Sequence, residues 1–234
     1  MNHGKLYLIP TPISGTNLKN SLIEKDAEIV SKLKFFIVET PKVARQFLMS
    51  LDLSIPIREI KMNVFDEHSD KENIQDLLQP LLLGNDMGLM TDAGSPCIAD
   101  PGEEIVLMCQ KLGIEIIPMI GPSSILLTLM ASGLDAERFT FNGYLPKKPN
   151  KRKEEIDKLV KKVSNNEGSQ IFIEAPYRNQ PLFNDLLRIT ENINLCLGIQ
   201  VGGDRQRIIT LPISKWKEKR EELEKVPIIY IIGK

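Results

Sequence analysis

Strand-like and helix-like segments alternate along the first half of the chain, and this order restricts the possible folds more than any other feature. Short runs rich in β-branched and aromatic residues occupy residues 5–10, 35–39, 87–92 and 115–118. Amphipathic stretches that are typical of helices occupy residues 23–32, 43–51, 74–83 and 103–112. Alternation of this kind predicts a mainly parallel α/β sheet.

The pattern changes after residue 122. Ser123 is a suitable N-cap for an apolar helix that runs to about residue 132 and ends at Gly133. Beyond it the sequence predicts strands at residues 138–144, 170–174, 195–201, 206–212 and 228–232, and helices at residues 151–163, 179–190 and 214–223. A Gly-Gly-Asp run at 202–204 indicates a hairpin. We therefore predict a parallel α/β domain at residues 1–118 and a mixed, more antiparallel α/β domain at residues 119–234.

Composition narrows the function classes. The 234 residues carry a formal net charge of -1, so overall charge does not indicate a nucleic-acid-binding protein, although a local basic segment can still bind phosphate. Three scattered cysteines and two histidines support neither a disulfide framework nor a metal site.

No apolar stretch approaches the roughly 20 residues of a membrane span, and a signal-peptide pattern is missing. We expect a cytoplasmic protein. The motifs GxGxxG, GxxxxGK[ST] and GxSxG are absent, which disfavours dinucleotide-binding, P-loop and hydrolase sites.

The segment LMTDAGSPCIADPG, at residues 89–102, is the strongest candidate for a binding site. A strand ends at Asp92, and the small residues that follow allow a ligand to approach the backbone closely. Ligands of open α/β sheets bind at this end of the strands. A plain β-turn followed by a helix cap uses the same residue types, so composition alone leaves both interpretations open.

Two further segments carry candidate site residues. Residues 118–124 (PMIGPSS) offer hydroxyls and amides at a helix start, or form a capped interdomain linker. Residues 172–178 (FIEAPYR) place Glu174 at the end of a strand and Arg178 in the turn after it. A surface ion pair explains those two charges equally well.

These segments also carry a family resemblance. PTPIS at 10–14, FIVET at 36–40, DEH at 66–68, TDAGSPCIADPG at 91–102, IGPSS at 120–124, SGLDAERFTFNGYLPKK at 132–148 and IEAPYR at 173–178 follow one another in this order. Together they resemble the tetrapyrrole-methylase superfamily, and within it the branch that 2′-O-methylates a cytidine ribose of small-subunit ribosomal RNA. The similarity extends from about residue 6 to residue 232.

The resemblance implies two α/β domains with S-adenosylmethionine in the cleft between them, and a homodimer. It assigns the methionine end of the cofactor to the loop at residues 92–96 together with Ile98. It assigns the rest of the cofactor to residues 121–124 and to parts of the second domain. The cofactor-binding residues implied in this way are Asp92, Ala93, Gly94, Ser95, Pro96, Ile98, Gly121, Pro122, Ser123 and Ser124.

Departures from the family pattern fall where the methyl acceptor is expected. The branch typically has AEDTRxT where this chain has VETPKVA, and TPIGNLxD where it has TPISGTNLK. The ARELTK block is replaced by IQVGGDR at 199–205. We expect an S-adenosylmethionine-dependent methyltransferase acting on an RNA ribose hydroxyl. The alternatives are methylation of a tetrapyrrole-like small molecule and a non-catalytic S-adenosylmethionine-binding protein.

An alcohol acceptor benefits from a general base, and the candidates are Glu39, Glu67, His68 and Glu174. His68 is included because histidine is the residue type that ordinarily changes charge nearest neutral pH, although its polar surroundings are also typical of an exposed loop. The run KKPNKRK at 147–153 contains five basic residues and lies where the family has a basic loop. It indicates either an RNA-phosphate contact or a solvated helix start.

Overall fold

The computed structural model describes residues 3–13, 21–69, 74–219 and 221–234. The chain divides into two compact units, Met1–Ser123 and Ser124–Lys234. The boundary predicted after residue 118 lies shortly before this division. None of the described helices is both long and apolar enough to cross a bilayer.

The first unit is built on a parallel sheet. In the described part its strands are β1 Leu6–Leu8, β2 Phe35–Val38, β3 Lys61–Val64, β4 Met87–Met90 and β5 Ile116–Pro118, in the spatial order β3-β2-β4-β1-β5. Every adjacent pair is parallel. The helices of this unit are α1 Glu24–Lys32, α2 Pro41–Met49, α3 Ile74–Leu77, α4 Gln79–Leu82 and α5 Glu103–Lys111. The predicted parallel α/β class is confirmed.

Both faces of this sheet are covered. Along β1, Leu6 packs into one apolar cluster with Ile105 of α5, and Tyr7 packs into a second cluster with Phe47 of α2. Successive residues of a strand point to opposite faces, so one short strand contributes to two cores. Fully parallel sheets are characteristically buried on both faces, and this burial produces the continuous apolar runs seen in the sequence.

Two local predictions for this unit differ from the structure. Residues 74–83 were expected to form one helix, but they form two short ones because Pro80 lies in the first turn of α4 and supplies no backbone N–H there. The sequence analysis also missed β3, whose residues KMNV are mostly exposed at the edge of the sheet. An exposed edge strand has little apolar signal.

The second unit is built on a mixed sheet. Its described strands are β6 Phe139–Tyr144, β7 Ser169–Ile173, β8 Asn194–Ile199, β9 Arg207–Pro212 and β10 Ile228–Gly233, in the order β6-β7-β10-β8-β9. Strands β6 and β7 are parallel, whereas the other pairs are antiparallel. The helices are α6 Ser124–Ser132, α7 Pro149–Ser164, α8 Asn179–Leu186 and α9 Ile213–Lys219. The hairpin predicted around residues 202–204 joins β8 to β9.

Alternation along β10 again separates two cores. Tyr230 packs with Trp216 of α9 on one face, whereas Ile229 and Ile231 pack with Leu129 of α6 on the other. The Trp216 indole N–H donates to the Leu195 carbonyl at 2.8 Å, so its polar atom is satisfied within the core. The mixed α/β class predicted for the second half is confirmed.

Candidate functional site

The carboxyl ends of the parallel strands β1–β5 define one edge of the first sheet, called here the carboxyl edge. The segment Thr91–Gly102 follows β4 at this edge and contacts the residues that follow β1 and β5. Gly94 and Thr11, which follows β1, exchange backbone hydrogen bonds of 2.9 and 3.1 Å. Ser95 Oγ donates to the Pro122 carbonyl, beyond β5, at 3.2 Å. Two of the segments selected from sequence are therefore brought together.

The backbone of this segment is strained. Gly94 and Gly102 have φ angles of 86° and 131°, and the non-glycine residues Cys97 and Ala99 have φ angles of 66° and 67°. A non-glycine residue in this left-handed region costs about 1–2 kcal/mol. Such strain persists where the surrounding structure enforces it, and it clusters at ligand-binding sites. Ile98, between the two strained non-glycine residues, is 52% exposed. The segment therefore combines two strained non-glycine residues with an exposed apolar side chain.

The predicted cofactor-binding residues differ in exposure. Ala93 and Ile98 are exposed, Asp92 and Ser95 are half-buried, and Gly94 and Pro96 are buried. Gly121 packs so tightly that a Cβ added there would lie 2.1 Å from Pro10 Cγ, which explains a glycine at this position without reference to a ligand.

The two predicted serines lie at the division between the units. Ser123 is the last residue of the first unit, and Ser124 is the first residue of α6 in the second. The Ser124 carbonyl accepts a hydrogen bond from Thr128 Oγ1 at 2.7 Å, one turn along the helix.

Asp92 is held by the loop that follows β2. Its carboxylate accepts from the Thr40 backbone N–H at 3.1 Å and from the Thr40 hydroxyl at 2.8 Å. The Asp92 N–H in turn donates to Glu39 Oε2 at 3.2 Å. Because β2 and β4 are adjacent parallel strands, their ends are close enough for these contacts. Sequence reasoning selected Asp92 and Glu39 but not Thr40.

Two carboxylates at this edge, Glu39 and Asp100, have raised pKa values. Burial, followed by the neighbouring Glu39 and Asp92 carboxylates, raises the pKa of Asp100 to about 6. Burial and the charges of Asp92, Asp66 and Glu67 raise the pKa of Glu39, although the hydrogen bond from the Asp92 N–H opposes this. Asp100 was not selected from the sequence, although it lies in the same glycine- and proline-rich segment as the selected residues. Within the described residues, no group of His, Cys, Asp and Glu is arranged to hold a metal ion.

His68 lies in the exposed turn that follows β3. Its side chain is 84% exposed and its Nε2 lies 3.5 Å from Glu67 Oε1. The backbone N–H of His68 and the hydroxyl of Ser69 both donate to Asp66 Oδ1, which shapes the turn. The structure places His68 in solvent.

Glu174 occupies a different environment from the other two predicted bases. It follows β7, and its side chain has no exposed surface. Its Oε1 accepts from the Ala175 N–H at 2.8 Å and from Arg178 Nε at 2.7 Å, and Arg178 Nη2 also donates to it. Oε2 has no hydrogen-bond partner among the residues that the structure describes. The ion pair considered from sequence does form, but it is buried rather than at the surface.

The basic residues at 147–153 differ in their exposure to solvent. Lys147, Lys148, Lys151 and Lys153 are exposed. Arg152 is buried, and its Nε and Nη2 donate to Asp185 Oδ2 at 2.9 and 2.6 Å. Four of the five basic residues are therefore exposed, because Arg152 holds α7 to α8 instead of facing solvent.

The fold matches that of solved tetrapyrrole methyltransferases. Uroporphyrin-III C-methyltransferase from Thermus thermophilus aligns with a TM-score of 0.62 at 15% identity, covering 99% of this chain and 98% of that one. A cobalt precorrin-4 methyltransferase aligns with a TM-score of 0.61 at 10% identity, covering 98% and 94%. Another Thermus structure of uroporphyrin-III C-methyltransferase, which contains S-adenosyl homocysteine, aligns with a TM-score of 0.61 at 14% identity. The alignment covers 99% of this chain and 98% of that one. The chain thus has the tetrapyrrole-methylase fold.

In sequence, the chain is similar to proteins named ribosomal RNA small subunit methyltransferase I. It is 28% identical to that of Vibrio cholerae over 210 residues, covering 90% of this chain and 65% of the relative. It is 25% identical to that of Escherichia coli O157:H7, covering 99% and 78%, and 30% identical to that of Synechocystis, covering 78% and 61%. The chain spans about two thirds of the length of these relatives. No protein-family model matches it. The resemblance predicted from the motifs is confirmed.

Proposed function

We propose that this chain is a methyltransferase that uses S-adenosylmethionine as methyl donor and an RNA ribose hydroxyl as acceptor. The observation that carries the proposal is the strained segment Thr91–Gly102, held at the carboxyl edge by the Asp92–Thr40 and Gly94–Thr11 contacts. This segment contains the motif by which the chain resembles the ribose-methylating branch. The named ribosomal RNA methyltransferases align with most of this chain, which supports the same acceptor class.

Residues 92–96, Ile98 and residues 121–124 would hold the donor. Gly94 supports this fit, because its φ of 86° suits glycine and a Cβ there would lie 3.1 Å from Ile13 Cγ2. When bound, the donor would supply a methyl group carried on a positively charged sulfur. The carboxylates of Glu39, Asp92 and Asp100 lie at the same edge and favour a cation over a neutral ligand.

We assign the general base to Glu39. The acceptor hydroxyl loses its proton as the new bond forms, and a base with a pKa nearer the working pH removes it more effectively. Burial and neighbouring carboxylates raise the pKa of Glu39 in that direction. His68 lies in solvent, and Glu174 is committed to its ion pair with Arg178, so neither is as well placed.

Glu39→Gln tests this assignment. Glutamine keeps an oxygen that accepts from the Asp92 N–H, but it cannot take a proton from the acceptor. We expect kcat to fall by about 100-fold to about 10,000-fold, a larger change than the weakening of donor binding that follows from removing one of the three carboxylates. An unchanged kcat would exclude Glu39 as the base.

The same resemblance leads us to propose a homodimer that acts in the cytoplasm. Exposed apolar side chains on α6, Leu126 and Met130, are one helical turn apart and support association through an apolar surface. Light scattering of the purified protein tests the oligomeric state. A dimer mass is expected, and a monomer mass at micromolar concentration would contradict the proposal.

Methyl transfer to ribosomal RNA tests the function itself. The purified protein is incubated with unmodified small-subunit ribosomal RNA and isotope-labelled S-adenosylmethionine, and the RNA is mapped by mass spectrometry, with Gly94→Val as the inactive control. We expect one added methyl group on a ribose. Transfer to a tetrapyrrole instead would replace the RNA acceptor, and donor binding without any transfer would indicate a non-catalytic binding protein.

A further inference from the structure

A guanidinium and an aromatic ring are fixed together in the turn after β7, where Pro176–Arg178 forms one turn of 3₁₀ helix. Arg178 Nε and Nη2 both donate to Glu174 Oε1, and Arg178 Nη1 donates to the Tyr177 hydroxyl at 3.1 Å. The Arg178 guanidinium carbon lies 5.1 Å from the centroid of the Tyr177 ring. Three donors of one guanidinium are therefore engaged by two neighbouring side chains. We call Glu174, Tyr177 and Arg178 the tyrosine platform.

The platform is anchored in the core and open at its surface. The Glu174 side chain is fully buried, the Arg178 side chain is 15% exposed and Tyr177 is 65% exposed. A buried ion pair loses much of its Coulombic gain to desolvation, so stability alone is a weak reason for it. What the pair does achieve is a fixed orientation of Arg178 beneath an exposed ring. A guanidinium oriented in advance loses less entropy when it binds a phosphate.

The platform lies beside a basic segment. Strands β6 and β7 are parallel neighbours, and Tyr144 is aligned with Ile173. The residues that follow these strands therefore emerge at the same edge of the sheet. Tyr144, at the end of β6, is 58% exposed, and the exposed Lys147 and Lys148 follow it closely. This edge combines exposed aromatic rings with positive charge.

We propose that the tyrosine platform binds an unpaired stretch of the RNA acceptor, with a base stacked on Tyr177 and a backbone phosphate at Arg178. Glu174 is a positioning residue that holds the guanidinium in place. Unpaired RNA is the partner that fits, because proteins recognise it by stacking bases on aromatic or arginine planes next to positive charge. In a duplex the bases are stacked on one another, so no base is available to stack on the Tyr177 ring. The inference rests on the proposed RNA-methyltransferase function and assigns part of its substrate contact.

Fluorescence anisotropy with a short single-stranded RNA, and with the same strand in a duplex, tests the stacking contact. We expect the single strand to bind more tightly than the duplex. Tyr177→Ala should weaken single-strand binding by about fivefold to about a hundredfold, the range for loss of one stacked base. Tyr177→Phe keeps the ring and should stay near the unsubstituted protein. Phe139→Ala is the matched control, because Phe139 is an exposed ring at the opposite end of β6.

Salt dependence separates the roles of the two side chains. Removing the Arg178 charge should reduce the slope of log affinity against log salt by about 0.7, the value for one phosphate of a single strand. Tyr177→Ala should leave that slope unchanged. Because Arg178→Gln alone leaves the Glu174 charge buried and unpaired, the double variant Glu174→Gln with Arg178→Gln is the second test. Arg138→Gln, at an exposed arginine just before β6, is the charge-matched control.

Several results would overturn the inference. The unsubstituted protein would bind no RNA, or it would bind the single strand and the duplex equally tightly. Alternatively, Tyr177→Ala would keep the parental affinity, or the Phe139→Ala control would lose as much affinity as Tyr177→Ala. Equally tight binding of an acidic peptide would show a general anion surface instead. Calorimetry with S-adenosylhomocysteine tests donor binding separately. If the donor binds and RNA is methylated while Tyr177→Ala has no effect, the platform is wrong and the proposed function stands.

Discussion

The Asp92 carboxylate accepts two hydrogen bonds from Thr40, one from its backbone N–H at 3.1 Å and one from its hydroxyl at 2.8 Å. Thr40 is the N-cap residue of α2, so the carboxylate lies at the N-terminus of that helix. A negative charge is favourable at this position, because the helix macrodipole and unpaired N–H groups are directed towards it. The contact fastens the strained segment after β4 to the end of β2.

Replacing Thr40 with valine should loosen that segment. Thr40→Val removes the hydroxyl donor while keeping a β-branched side chain of similar size, and Thr40→Ser keeps the donor. Since hydrogen bonds to charged groups contribute about 1.5–3 kcal/mol, we expect Thr40→Val to lower the free energy of unfolding by about that amount. Urea unfolding measures the loss. Equal stability of the valine and serine variants would show that the hydroxyl contact contributes nothing.

Gly94 should be indispensable for donor binding. Gly94→Val places a branched side chain at a φ of 86° beside Ile13, so we expect donor binding to be abolished while the fold is retained. Gly113→Val is the control, because Gly113 has a φ of 66° and a Cβ there meets nothing within 4 Å. Both variants carry backbone strain of about 1–2 kcal/mol, and only Gly94→Val should prevent binding. Calorimetry and thermal unfolding of both variants measure the two effects, and parental affinity in Gly94→Val would exclude this segment from the donor site.

The strand and helix order was predictable because each buried strand leaves a continuous apolar run, as FFIV does in β2. The loop containing Gly94 was also found from sequence, because small residues at the end of a strand are a local signal. Thr40 and Asp100 were not selected from the sequence as candidate site residues. Their contacts form only because strands β2 and β4, which are distant in sequence, end side by side in the sheet. For the same reason, sequence did not show that Arg152 pairs with the buried Asp185.

Asp100 should make stability depend on pH. Burial and the nearby Glu39 carboxylate raise its pKa from 3.8 to about 6, so the folded protein binds this proton more tightly than the unfolded chain. The stabilising contribution is fully present below about pH 4 and is lost as pH rises through about 6. Asp100→Asn carries no such charge, so the variant should gain stability relative to the unsubstituted protein as pH rises across that range. Urea unfolding at several pH values measures the difference, and a difference independent of pH would contradict the shifted pKa.

The exposed lysines after β6 should contribute to RNA affinity without affecting the fold. Neutralising Lys147, Lys148, Lys151 and Lys153 to glutamine, with Arg152 kept, should weaken RNA binding and flatten its salt dependence. Arg152 is excluded because breaking its buried pair with Asp185 is expected to cost about 3–5 kcal/mol of stability. Anisotropy at increasing salt measures the slope. An unchanged affinity and slope would mean that these lysines form only a solvated surface.

Calorimetric titration with S-adenosylmethionine and S-adenosylhomocysteine tests the central claim most directly. The account predicts saturable binding of both compounds at one site per chain. It also predicts that Gly94→Val abolishes the binding and that Gly113→Val preserves it, because only Gly94 lies in the proposed donor loop. A folded, purified protein that binds neither compound would contradict the assignment of this chain as an S-adenosylmethionine-dependent methyltransferase.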